Sequence, residues 1–81
     1  MHYSILFEAV RDAGFPEGYF YAHIPALDLT THGQGIEGAK AAALDLITLW
    51  ITERRARGER IPQEAESYFS RVEVDDALLG T

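Results

Sequence analysis

The run from Ile36 to about Arg57 constrains this chain most: it contains no proline, and alanine and leucine, the strongest helix formers, dominate it. Arginines gather in its last turn and Gly58 follows, the expected signal for a helix end. Placed at 100° per residue, Leu49, Ala42, Leu46, Ala39, Trp50, Ala43, Ile36, Ile47, Ile51 and Leu44 fill an arc of roughly 220°, whereas a helix resting on one sheet face needs about 100° or somewhat more. The chain has 81 residues, enough for one domain with a thin core and too few to cover that excess apolar surface. The helix is therefore expected to meet a second subunit or another partner, with Leu44, Leu49 and Ile51 as the candidate oligomer interface.

The remaining segments read as strands. Tyr3, Ile5, Phe7 and Ala9 recur at every second position of Met1–Val10, the period of a half-buried strand. The stretch from Arg11 to Gly18 is dense in turn formers and reverses the chain. In Gly18–Ile24, Phe20, Ala22 and Ile24 share one face and Tyr19, Tyr21 and His23 the other, which predicts an antiparallel hairpin. Pro25 ends that strand, a short third strand is expected around Leu29 to His32, and Tyr68–Val74 alternates again as a final strand. The expected class is α+β in β-β-β-α-β order, a small, mostly antiparallel sheet with one long helix on one face, spanning 1–81 as a single domain.

Composition limits the function classes. There is no cysteine, so neither disulfides nor thiolate metal sites can staple the fold. Thirteen acids against seven bases give a net charge of −6, which disfavours phosphate and favours a basic partner. The start of the chain carries no signal-peptide pattern, and the apolar stretch Ala39–Ile51 is broken by Lys40, Asp45 and Thr48. A soluble, cytoplasmic protein without membrane attachment is expected.

Several ordered features together resemble the HicB-like antitoxin family. Gly18-Tyr19-Phe20-Tyr21-Ala22-His23-Ile24-Pro25 is similar to that family's strand from a glycine through aromatics to an alanine and an X-Pro. Gly33-Gln34-Gly35-Ile36-Glu37-Gly38-Ala39 is similar to its turn into the helix, and the helix ending at Gly58 before Ile61-Pro62 to its exit. The likeness covers roughly Tyr3 to Val74. It implies a partly degraded ribonuclease-H-like fold, dimers or tetramers, and capping of a small basic HicA-like ribonuclease by steric occlusion. Many members add a C-terminal DNA-binding module; only seven residues follow Val74 here, so operator binding by this chain alone is not expected. After the X-Pro the family usually reads Asp-Leu-Pro-Gly-Cys, whereas this chain reads Ala26-Leu27-Asp28-Leu29-Thr30.

Other chemistries find weaker support in the residues. Gly33-Gln34-Gly35-Ile36-Glu37-Gly38 fits a dinucleotide pattern literally, but no parallel βαβ context surrounds it, so the glycines are expected to serve a turn and close packing, with Gly35 capping the helix and no cofactor. A nuclease of ribonuclease-H type would need clustered carboxylates for two metals. Glu8, Glu37, Asp45, Glu73 and Asp75 are the candidates, and their patterning reads as solvated surface. His2, His23 and His32 lack metal-ligand spacing. Arg54-Arg55-Ala56-Arg57-Gly58-Glu59-Arg60 suits the helix dipole better than a phosphate. The expectation is a binding protein without catalysis, metal or cofactor, with Tyr19, Tyr21, His23 and Trp50 as partner-binding residues; a residual nuclease and a stand-alone oligomeric scaffold are the alternatives.

Overall fold

The computed structural model describes residues 1–79. Three strands, β1 (Leu6–Ala9), β2 (Tyr19–Ile24) and β3 (Leu29–Gln34), form an antiparallel sheet in the order β1-β2-β3. A 22-residue helix, α1 (Gly35–Ala56), follows β3 directly and packs across β3 and β2. The architecture is α+β in β-β-β-α order. Short 3-10 turns occupy Pro25–Leu27 and Asp76–Leu79.

β1 is shorter than the alternation over Met1–Val10 suggests, and the register explains why. Leu6 pairs with His23 and Phe7 with Ala22, so Ser4 would fall opposite Pro25. Proline has no N–H to donate, and it starts the 3-10 turn instead. β3 runs two residues beyond the expected His32, because Tyr19 continues to pair with Gln34. Asp28, at φ 54°, provides the left-handed pivot between the 3-10 turn and β3.

The strand expected over Tyr68–Val74 does not form: this stretch has no regular secondary structure and lies outside the sheet. Alternation supplies a β-prone segment, but a strand needs a partner, and the chain route leaves this one without it. Tyr3 Oη donates to the Pro62 carbonyl at 2.5 Å, and Glu64 accepts from Ser4 N at 2.6 Å and Ser4 Oγ at 2.7 Å. These contacts fasten the chain after the helix to the N-terminal extension of β1, and the segment beyond runs into solvent. The two donated hydrogen bonds hold the Glu64 carboxyl below its usual range.

The core lies between sheet and helix, with alanines among its fully buried residues. Ala22, Ile24, Leu27, Ala39, Ala43 and Ile47 are buried, with Tyr3, Ile5, Phe7, Phe20, Leu29, Trp50 and Ile51 packed around them. Alanines at the helix–sheet contact allow close approach, and Gly33 takes it furthest. A Cβ there would overlap the Gly38 carbonyl carbon and lie 2.5 Å from its oxygen and 2.6 Å from Ala39 N. The glycine pattern thus serves strand-to-helix packing. Gly35, at φ +68°, turns the chain, while Gln34 rather than Gly35 occupies the N-cap position, without a side-chain cap bond. At the other end Gly58, at φ +69°, closes α1 as its N–H and that of Glu59 bond back to Arg55 and Arg54 carbonyls.

Candidate functional site

Antiparallel pairing puts alternate residues on opposite faces, so the register decides which side chains face away from α1. Phe7, Ala9, Phe20 and Ala22 belong to the helix side; Leu6, Glu8, Tyr19, Tyr21, His23, Thr30, His32 and Gln34 belong to the other. No described element covers this second face. The first hairpin connection curls onto its end instead, and brings Phe15 against it.

Phe15 organises an aromatic cluster there. Its ring lies 5.8 Å from Tyr19, 6.0 Å from Tyr21 and 5.0 Å from His32, the last two edge-on. Such spacings give tilted aromatic pairs their attraction beyond simple burial. Phe15, Tyr19, Tyr21 and His23 are half-buried and His32 is exposed, so the rings are fixed yet reachable.

Polar contacts hold the rings in place. Tyr21 Oη donates to Asp12 Oδ2 at 2.7 Å, which pins the ring to the turn. That hydrogen bond to a carboxylate, with the nearby negative charge of Asp12 and Glu8, raises the Tyr21 phenol above its ordinary value. His23 bridges two strands: Nδ1 is 3.0 Å from Thr30 Oγ1 and Nε2 is 2.9 Å from Glu8 Oε1. The result is an aromatic platform edged by the carboxylates Glu8 and Asp12. It offers apolar area at the centre and hydrogen-bond acceptors at the rim, an arrangement suited to a cationic protein surface.

The candidate residues named from sequence separate in space. Tyr19, Tyr21 and His23 come together on this platform. Trp50 does not join them; it lies on α1 at the opposite side of the sheet, half-buried, with the Arg54 guanidinium 4.3 Å from its ring centre. Leu44 and Leu49 are 64% and 58% exposed, as an interface role requires, but lie on opposite flanks of the helix. Ile51 packs against the core. Asp12 and Phe15 are platform members that sequence patterning did not single out, although Phe15 is the one large apolar residue in the turn; His32, considered there only as a metal ligand, joins the platform instead.

The other candidate constellations are scattered. Glu8 faces away from the helix that carries Glu37 and Asp45, and Glu73 and Asp75 lie in the irregular segment after α1. Among the described residues no group of His, Asp and Glu converges as metal ligands would. The arginine cluster folds on itself: Arg54 reaches the Arg60 carbonyl and Glu59, and Arg57 also bonds Glu59. No described helix is long and apolar enough to cross a membrane. No protein-family model, curated protein or solved structure matches the chain.

Proposed function

We propose that this chain is a protein-binding module, antitoxin-like, that caps a small basic HicA-like ribonuclease in the cytoplasm by steric occlusion. The observation that carries this reading is the uncovered sheet face, where Phe15, Tyr19 and Tyr21 form a fixed aromatic cluster beside Glu8 and Asp12. Aromatic anchors in partly desolvated positions carry most of the energy of protein interfaces, and charge at their rim governs encounter. The net charge of −6 adds long-range attraction to a basic partner. Binding here needs no catalytic group, since covering the ribonuclease's substrate surface suffices.

The test is a salt series of binding kinetics against a small basic ribonuclease encoded beside this chain. Association slows as rising salt shortens the Debye length below about 10 Å, while dissociation, governed by the aromatic anchors, changes little. Absence of binding at every salt concentration removes the antitoxin reading. Binding whose dissociation is as salt-sensitive as its association removes the role given to the aromatic platform.

A further inference from the structure

Beyond the helix the chain carries a β-prone segment with nothing to pair with. In Tyr68–Val74, Tyr68, Phe69 and Val72 are 85%, 73% and 84% exposed, although aromatic and β-branched residues are the ones strands favour. The sheet carries a matching open edge. Val10 N donates to the Tyr19 carbonyl, which sets the phase of the β1–β2 ladder. Leu6 and Glu8 then bond to β2, while Phe7 and Ala9 turn their N–H and C=O groups outward. The Leu6–Ala9 edge has no proline, lysine or bulge of the kind that discourages pairing. Between Ser4–Phe7 and Ser67–Phe69 lies a crevice of about 490 Å³.

We propose that Tyr68–Val74 pairs as a fourth strand with the open β1 edge of a second copy of the chain, reciprocally, in a two-fold dimer. Within one copy the Glu64–Ser4 contacts fasten the root of the segment at the N-terminal end of β1, yet the segment stands off that strand with its apolar side chains in solvent. A second copy presents the same edge and the same segment, so two-fold symmetry forms the contact twice. Each segment brings two aromatic side chains, and an aromatic side chain buries about 150–250 Å². The four then bury roughly 600–1,000 Å², and the edges they cover add a comparable area. The total reaches the roughly 1,200–2,000 Å² typical of stable interfaces. This pairing occupies a sheet edge and leaves the aromatic platform open, so it stands or falls separately from the proposed function.

The experiment compares the full-length protein with Val72→Pro by light scattering at micromolar concentration. Val72 is exposed and outside every strand and helix, so the substitution removes an N–H from the exchanged strand without touching the core; circular dichroism and the unfolding midpoint check this. The expected result is at least twice the 9.0 kDa chain mass for the wild type, falling by half in Val72→Pro. Because the chain lacks cysteine, a mixture of Leu6→Cys and Val72→Cys chains treated with a bismaleimide should also give a cross-linked pair containing one of each. A wild-type monomer, or an oligomer of unchanged mass in Val72→Pro, overturns the proposal. So does cross-linking only within a chain carrying both cysteines, which would place the segment on its own β1.

Discussion

Replacing Gly33 by alanine tests the close approach of α1 to the sheet. The added Cβ would meet backbone, lying 2.5 Å from the Gly38 carbonyl oxygen and 2.6 Å from Ala39 N. Ordinary heavy-atom contacts lie at about 3.5–4.0 Å, so the first turn of α1 or the end of β3 must move by about 1 Å. Neither can yield freely, since β3 is paired along its length with β2 and α1 starts at the next residue. Overpacking costs about 1–3 kcal/mol, and a backbone obstacle puts this case at the upper end. A domain of this size has roughly 4–12 kcal/mol of stability in all. The melting temperature should therefore fall by on the order of 10–20 °C. The partner in the contact gives the opposite sign. A Cβ on Gly38 would lie 3.6 Å from the nearest Gly33 atom, an ordinary contact, and alanine suits a helix better by up to about 1 kcal/mol. Urea unfolding of both variants measures the pair. A Gly33→Ala unfolding free energy within about 0.5 kcal/mol of wild type, or a Gly38→Ala loss as large as that of Gly33→Ala, refutes the packing argument.

Three further outcomes follow from individual contacts. The Glu64 carboxyl is held below its ordinary value, so its bonds to Ser4 are fully present above the usual glutamate range and are lost as pH falls through the lowered value; exchange of the Ser4 amide, followed by NMR, should rise over that acid window and should already be fast in Glu64→Gln. The Tyr21 phenol is raised chiefly by its bond to Asp12, a contact present below the ordinary tyrosine value and lost as pH rises through the raised one; phenolate absorbance should show Asp12→Asn ionising Tyr21 at lower pH than wild type. With magnesium or manganese the purified protein should leave RNA, DNA and hybrid intact, because Glu8 is separated by the sheet from Glu37 and Asp45; cleavage abolished by Glu8→Gln would reinstate the nuclease reading.

Local pattern was enough to read the hairpin, the third strand and the helix, because each is set by a period along the chain: two in Tyr19–Ile24, 3.6 in α1. The same period puts Tyr19, Tyr21 and His23 on one face of β2. What period cannot show is how a segment meets the rest of the molecule. Tyr68–Val74 has the composition of a strand, but pairing depends on a neighbour, and the Ser4–Glu64 contacts that steer the chain join residues 60 apart in sequence. Trp50 looked like an anchor by type, yet helix phase puts it opposite the platform. Phe15 lay hidden among turn residues, because its role comes from a loop folding over the end of the sheet onto Tyr19 and Tyr21. Leu44 and Leu49 stand at the two ends of the apolar arc by helix phase alone, but their exposure on either side of the packed helix depends on how α1 meets the sheet.

The most direct measurement of the central claim is the affinity of the basic ribonuclease for Tyr21→Ala and for Leu49→Ala, side by side with wild type. Tyr21 is half-buried on the aromatic platform, while Leu49 is 58% exposed on the outer flank of α1. Loss of a true anchor costs about 2 kcal/mol or more, roughly thirtyfold in the dissociation constant. The platform account predicts that loss for Tyr21→Ala and wild-type affinity for Leu49→Ala. Full affinity in Tyr21→Ala with a thirtyfold loss in Leu49→Ala would move the binding surface to the helix and contradict it.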